Sequence, residues 1–219
     1  MRTVVFDLDG TLADTSGDLL AAANACFRAL GHGDMLTGAD RLTAFHGGRA
    51  MLRLGFSRLG RVDEAMVDAQ YPLLLDAYRG AIDTHTRLYP GAVAAVEELR
   101  RAGFAVSVCT NKPAALAELL LVRLGLRDLF GAMVGADTLP TRKPDPAPYV
   151  AAVERAGGIV ARSMLVGDTE TDRRTGLAAG VPVALVTFGP EGRAIARLEP
   201  EALLDHFDDL PALAERLIP

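Results

Sequence analysis

The sequence predicts an α/β fold in which a parallel β-sheet is flanked by helices and interrupted by an inserted helical domain. Three observations predict it: short unbroken apolar runs, helical spacing between these runs, and one long interval that contains helical patterns only. A strand that is buried on both faces is apolar throughout, whereas a strand with one face in water alternates. The unbroken runs therefore favour parallel strands that are covered by helices on both sides.

Four apolar runs are predicted to be strands: Val4 to Phe6, Phe104 to Cys109, Met164 to Val166 and Val183 to Val186. Helices are predicted after Gly91 and after Pro113, where apolar residues recur at helical spacing. Residues 15–87 contain no strand-like run, so we assign them to an inserted helical domain, and we assign residues 1–14 and 88–219 to the core. The segment from Glu191 to Pro219 is expected to complete the edge of the sheet and the last helix.

The composition is typical of a globular protein, with 50% hydrophobic and 23% charged residues among 219. A net charge of −5 argues against a nucleic-acid partner or an anionic membrane surface, so any anion must be bound in a local pocket. The sequence has no signal-peptide pattern and no apolar run long enough to cross a membrane, which favours a cytoplasmic protein. We expect a monomer or a homodimer. Of the 23 basic residues only two are lysines, Lys112 and Lys143.

Polar side chains follow the predicted strands, at the edge of the sheet where α/β proteins bind their ligands. Asp7 and Asp9 follow the first strand and would repel each other unless a cation neutralised them or one carried a proton. A divalent metal explains the pair most simply, although a turn with Asx caps has the same letters. Asp168 and Asp172 follow the third predicted strand, where acids also favour the start of a helix.

An anion site is predicted where Thr110 and Asn111 follow the second strand, because a hydroxyl, an amide and the N–H groups of a helix start converge there. Thr and Asn before a helix are also ordinary caps. Lys143 stands close to several prolines that would fix its backbone, so its ammonium could be aimed; the alternative is a solvated surface lysine. These four polar segments, three at strand ends and one around Lys143, together predict one metal and phosphate centre.

These segments resemble the motifs of the haloacid dehalogenase superfamily: DLDGT at Asp7, then Thr110, then Lys143, then GDTETD at Asp168. The resemblance implies a Rossmann-like core with a helical cap inserted after the first motif. The segments DTSGDL, CTNKP and GADTLPTRKPDPAPY are similar to the phosphoglycolate phosphatase branch of that superfamily.

The resemblance also implies a role for each motif residue. Asp7 would attack phosphorus and form an aspartyl-phosphate, while Asp9 would protonate the leaving alkoxide and later activate water. Mg²⁺ is the implied cofactor, bound by the Asp7 carboxylate, the Asp9 backbone carbonyl and Asp168. The remaining implied roles are phosphoryl stabilisation by Thr110 and Lys143, substrate binding by Gly10 and Asn111, and positioning of Lys143 or of the metal's waters by Asp172.

Related chemistries can be weighed on single residues. Asp9 favours phosphoryl transfer, because dehalogenases lack this second acid. The inserted domain has no lysine for Schiff-base cleavage of a phosphonate, and Leu19 stands where sugar phosphomutases carry a histidine. We therefore expect a Mg²⁺-dependent phosphomonoesterase that acts on a small phosphorylated metabolite. The substrate that we favour is 2-phosphoglycolate.

Pyrophosphate, a nucleoside monophosphate or a sugar phosphate remain alternative substrates, and a non-catalytic binding module remains a distant alternative. Arg49 in the inserted domain is our hypothesis for the residue that binds the substrate carboxylate, because a planar guanidinium suits a carboxylate; the other interpretation is a surface helix residue.

Overall fold

Six parallel strands form the main sheet of the computed structural model, which describes all 219 residues. The strands, in chain order, are β1 (Thr3–Phe6), β2 (Ala13–Asp14), β3 (Arg87–Leu88), β4 (Ala105–Cys109), β5 (Ala132–Val134), β6 (Ser163–Gly167), β7 (Val183–Val186) and β8 (Ala202–Leu204). The main sheet has the order β5-β4-β1-β6-β7-β8, and β2 and β3 form a separate two-stranded sheet.

Nine α-helices accompany the strands: α1 (Ser16–Ala29), α2 (Arg41–Phe45), α3 (Gly48–Arg58), α4 (Glu64–Gly80), α5 (Ala92–Arg101), α6 (Ala114–Arg123), α7 (Ala147–Arg155), α8 (Glu170–Ala179) and α9 (Leu210–Leu217). The chain divides into two compact units, one of residues 1–13 and 88–219 and one of residues Asp14–Arg87. We call the first the core unit and the second the inserted unit. No helix has both the length and the apolar character that crossing a membrane requires.

The position of β1 at the centre of the main sheet determines where a ligand can bind. β4 pairs with one edge of β1 and β6 with the other, so the chain runs outward from β1 in both directions. In an open parallel sheet the crevice at such a switch point, beyond the carboxyl ends of the strands, is the usual ligand site. The residues that directly follow β1, β4 and β6 are therefore placed side by side.

The core unit is stabilised mainly by apolar side chains on the two faces of the sheet. Tyr149 of α7 is fully buried, and its hydroxyl is 2.6 Å from the Ser163 hydroxyl, so its polar end has a partner. One buried cluster contains Val5, Cys109, Val134, Tyr149, Ala152, Val153, Leu165, Val181, Val183, Leu185 and Ile195. Because β1, β4, β5, β6 and β7 all contribute to one cluster, their register is fixed by burial as well as by hydrogen bonds.

In the inserted unit, a buried carboxylate joins the first helix to the last segment. Asp18 in the first turn of α1 accepts hydrogen bonds from the backbone N–H groups of His85 and Thr86, at 2.8 Å each, and from the Thr86 hydroxyl at 2.8 Å. Asp18 is only 2% exposed, so these donors satisfy a charge that burial would otherwise destabilise. The two ends of the inserted unit are thus held together by one side chain.

The prediction of a parallel α/β sheet is confirmed, with each of the four predicted strands present within two residues. The C-terminal segment forms the edge strand β8 and the helix α9, as expected. The short edge strand β5 was not predicted. Its three residues lie between Gly131 and Gly135, which interrupt any apolar run.

Candidate active site

The first residues after β1, β4 and β6 meet at the carboxyl edge of the sheet. Asp7 extends the β1–β6 pairing, because its N–H donates to the Val166 carbonyl at 2.9 Å. Thr110 extends the β4–β5 pairing in the same way, with its N–H 2.9 Å from the Val134 carbonyl. The backbone hydrogen bonds of the sheet therefore continue into the site and fix the backbone positions of Asp7 and Thr110.

Lys143 lies at the centre of the cluster, and its side chain is 2% exposed. Its Nζ donates to Asp172 Oδ1 at 2.6 Å and lies 3.1 Å from Asp7 Oδ1. The Asn111 side-chain amide donates to the Lys143 carbonyl at 3.0 Å, which ties the loop carrying Lys143 to the loop after β4. Asn111, predicted to bind substrate, thus uses its amide to hold the Lys143 backbone.

Asp172 holds several parts of the site at once. While Oδ1 accepts from Lys143, Oδ2 accepts from the Thr169 hydroxyl at 2.6 Å and the Thr169 N–H at 3.1 Å. The Thr169 hydroxyl in turn accepts from the Asp172 N–H, which completes a capping box at the start of α8. The Asp168 N–H also lies 3.3 Å from Asp172 Oδ2. Asp172 therefore orients both Lys143 and the backbone that carries Asp168.

Asp168 has one occupied and one open carboxylate oxygen. The Thr11 hydroxyl donates to its Oδ1 at 2.8 Å, whereas its Oδ2 is buried without a hydrogen-bond partner. Gly10 makes room for this carboxylate: a Cβ at Gly10 would lie 2.2 Å from Asp168 Oδ2. The φ angle of Gly10 is +86°, in the left-handed region that glycine adopts readily.

Burial and charge perturb the titration of this cluster. Burial raises the pKa of Asp7 to about 6, although the Lys143 ammonium works to lower it. Burial, followed by the negative charges of Asp7 and Asp172, raises the pKa of Asp168 well above its usual value. Burial also works against the Lys143 ammonium, but the Asp172 and Asp7 carboxylates outweigh it and raise the pKa of Lys143. Strongly perturbed pKa values that arise from burial together with nearby charges are characteristic of functional sites.

The acidic cluster fits a divalent cation. Carboxylate oxygens of Asp7, Asp168 and Asp172 lie within 4.8 Å of one another, and all three residues are buried. The open Oδ2 of Asp168 is the observation that tests the fit, because a buried carboxylate oxygen without a donor is costly unless a cation meets it. Both oxygens of Asp172 already have donors, so Asp7 and Asp168 are the better ligands.

Asp9 is held by a residue to which the sequence assigned no role. Lys112 Nζ donates to both oxygens of Asp9, at 2.7 Å and 3.0 Å. The rarity of lysine was the one signal that could have singled out Lys112, since both lysines of the chain lie at this site. The Thr11 hydroxyl on Asp168 was also missed, because nothing local in the sequence indicates a partner 157 residues away.

Arg49 lies in α3 of the inserted unit, where its side chain is 43% exposed. Its guanidinium forms an ion pair with Asp68 and lies over the Tyr71 ring, 4.5 Å from the ring centroid. Both partners belong to α4, so these contacts join two helices of the inserted unit. Substrate binding by Arg49 stays a prediction.

Comparison with known proteins gives consistent matches over the whole chain. Residues 4–186 match the family model described as haloacid dehalogenase-like hydrolase. A phosphoglycolate phosphatase of Mesorhizobium japonicum is 41% identical over 98% of this chain and 96% of that protein. One from Agrobacterium fabrum is 38% identical over 98% and 93%, respectively. Among solved structures, a predicted phosphoglycolate phosphatase of Haemophilus somnus superposes with a TM-score of 0.82 at 25% identity, covering 97% of each chain.

Proposed function

Because the chain belongs to the haloacid dehalogenase-like hydrolase family and is a phosphatase of that family, we propose that it hydrolyses 2-phosphoglycolate through an aspartyl-phosphate on Asp7. The observation that carries this proposal is the buried cluster in which Lys143 Nζ lies between Asp7 and Asp172. The substrate is taken from the relatives, two of which are named phosphoglycolate phosphatase at 38–41% identity.

In the first half of the proposed reaction, a carboxylate oxygen of Asp7 attacks phosphorus. The bond from phosphorus to the ester oxygen breaks, and Asp9 gives its proton to the departing alkoxide. Lys143 and Thr110 bind the phosphoryl oxygens, on which negative charge spreads in the transition state. Because Lys143 is already held by Asp172, it needs no reorganisation when the substrate arrives.

In the second half, water attacks the phosphorus of the aspartyl-phosphate. The bond between phosphorus and Asp7 breaks, the water's proton passes to Asp9, and inorganic phosphate leaves with Asp7 regenerated. Splitting the hydrolysis in this way replaces attack by a free water molecule on an anionic ester with attack by a carboxylate that is already in place.

Mg²⁺ is the proposed cofactor. The Asp7 carboxylate, the Asp9 backbone carbonyl and Asp168 would hold it, and the open Oδ2 of Asp168 supports this assignment. When bound, the ion offsets the repulsion between the carboxylate and the phosphoryl oxygens and acts as a Lewis acid.

Initial rates over a panel of phosphate esters test the proposal. The panel contains 2-phosphoglycolate, pyrophosphate, a nucleoside monophosphate and a sugar phosphate, each with Mg²⁺ or with a chelator. We expect the highest kcat/KM for 2-phosphoglycolate and no turnover in the chelator. If another ester had the highest kcat/KM, the substrate assignment would change and the phosphatase assignment would stand. If no ester were hydrolysed, a non-catalytic binding module would be favoured.

The nucleophile has its own test. Asp7→Asn is expected to abolish turnover, because an amide cannot form the acyl phosphate. Asp145→Asn, which neutralises an exposed acid two residues from Lys143, is the matched control and should keep its activity. Hydrolysis that persists in Asp7→Asn would refute the nucleophile assignment.

A further inference from the structure

Lys112 is a buried lysine whose ammonium contacts the carboxylate of Asp9. Its side chain is 4% exposed, and its Nζ donates to both carboxylate oxygens of Asp9, at 2.7 Å and 3.0 Å. A buried ammonium is costly unless it is paired, so this contact must be maintained in the folded protein. An ammonium that engages both oxygens also leaves the carboxylate little freedom to rotate.

The backbone around Lys112 is fixed on both sides. Its N–H donates to the Thr110 hydroxyl at 3.2 Å, and its carbonyl accepts from the Ala136 N–H at 2.9 Å. The ammonium is thus presented from a rigid loop that also carries the predicted phosphate ligand Thr110. Each carboxylate of the Asp7 and Asp9 pair has its own buried lysine: Lys143 lies beside Asp7, and Lys112 beside Asp9.

Elsewhere the chain uses arginine for its cations, which makes the two lysines distinctive. The sequence contains 23 basic residues, and only these two are lysines. A lysine ammonium is a compact point charge on a flexible stem, whereas a guanidinium is a wide planar fork. The chain therefore places a compact cation, and not a planar one, beside Asp9.

We infer that Lys112 is a positioning residue, which holds the Asp9 carboxylate in the orientation that accepts a proton from the attacking water. This inference rests on the proposed function, and it concerns the second half of the reaction. There, water adds to the phosphorus of the aspartyl-phosphate, the bond to Asp7 breaks, and one water proton passes to an oxygen of Asp9. Because the ammonium contacts both oxygens of Asp9, it fixes the orientation of the carboxyl group toward the water that attacks phosphorus.

Lys112→Gln tests the inference, because it removes the charge and keeps a polar side chain of similar length. A positioned base contributes roughly 10²- to 10⁴-fold to rate, so partial loss of its orientation is expected to slow breakdown of the aspartyl-phosphate by about 10- to 100-fold. Formation of the aspartyl-phosphate should change less. We therefore expect kcat and KM to fall together, with kcat/KM nearly unchanged, and the phosphorylated enzyme to accumulate in acid-quenched samples analysed by intact mass.

Two substrates sharpen the measurement. 2-Phosphoglycolate and p-nitrophenyl phosphate have different leaving groups but form the same phosphorylated enzyme. In Lys112→Gln, kcat should approach the same limiting value for both. Arg142→Gln, at an exposed cation next to Lys143, serves as the control and should behave as the wild type.

A double-mutant cycle separates positioning from a merely structural role. Adding Lys112→Gln to Asp9→Asn should cause no further slowing of breakdown, since the carboxylate that Lys112 positions is already gone. Additive losses, or a fall in kcat/KM without accumulation of phosphorylated enzyme, would overturn the inference. Wild-type activity in Lys112→Gln would do the same. Failure of the proposed function is a different result: the wild type would then form no phosphorylated enzyme from either substrate.

Discussion

Replacing Lys143 by methionine removes the one cation placed among three buried carboxylates while keeping most of the side-chain volume. Lys143 Nζ lies 2.6 Å from Asp172 Oδ1 and 3.1 Å from Asp7 Oδ1. With an effective dielectric constant of about 20, these distances correspond to gross attractions of about 6 and 5 kcal/mol. Burying the ammonium offsets several kcal/mol of this sum, but the carboxylates stay buried in the variant and lose their counter-charge.

We therefore expect Lys143→Met to lower the free energy of unfolding by about 3–5 kcal/mol, the usual cost of removing one partner from a buried ion pair. Urea unfolding at neutral pH, followed by far-UV circular dichroism in a chelating buffer, measures the change without interference from bound cations. Arg142→Met is the matched control, because Arg142 is the exposed neighbour of Lys143. It should stay within about 0.5 kcal/mol of the wild type.

The result that would refute this reasoning is a small effect. If Lys143→Met unfolded within about 1 kcal/mol of the wild type, the pair would be no stronger than an exposed salt bridge. The account of a preorganised ammonium would then fail, and with it the reason given for fast phosphoryl transfer. Loss of activity alone would not rescue the account, because it would also follow from the missing positive charge.

Three further predictions concern the inserted unit. Asp18→Ala leaves the buried Thr86 N–H and the part-buried His85 N–H without this acceptor, so we expect a loss of about 1–3 kcal/mol from the buried donor alone, measured as a lower urea midpoint. For Asp40, the hydrogen bond from Arg58 lowers the pKa of the carboxyl. Its stabilising contribution is therefore complete above the unfolded-state pKa of about 4 and is lost as the pH falls through the lower folded-state value. The thermal stability of the wild type should accordingly exceed that of Asp40→Asn at neutral pH and approach it in acid. Arg49→Ala should lower kcat/KM for 2-phosphoglycolate about tenfold or more while sparing p-nitrophenyl phosphate, which has no carboxylate, if the guanidinium binds that group. If kcat/KM were the same for wild type and variant with both esters, Arg49 would not bind substrate, and its role would be limited to its contacts within the inserted unit.

The strands that lie inside the sheet could be predicted from the sequence, because burial on both faces leaves a continuous apolar run. β1, β4 and β6 are such strands, and their places side by side follow from parallel pairing. β5 has a neighbour on one side only and spans three residues, so its pattern is too short to stand out. Since the carboxyl ends of parallel strands share one edge, the sequence could also place Asp7, Thr110 and Asp168 together before their contacts were known.

The pairing of individual side chains could not be predicted, because it depends on distances across the fold. Lys112 and Asp9 are 103 residues apart, and no local pattern connects them. Asn111 shows the same limitation: its position predicts an anion ligand, which stays a prediction, but its hydrogen bond to the Lys143 carbonyl could not be predicted. Sequence position predicts which edge a residue reaches, whereas rotamers and neighbours decide which atom it meets there.

Because lysine is scarce in this chain, chemical labelling of lysine can measure how often the site becomes accessible. Within these 219 residues the only side-chain amines belong to Lys112 and Lys143, and both are nearly inaccessible to water. Acylating reagents that modify the surface of most proteins would find no lysine on this one. The extent of labelling at these two positions, measured over time by peptide mass spectrometry, would therefore record how often the pocket around the carboxylates becomes accessible, and a bound phosphate analogue should slow it.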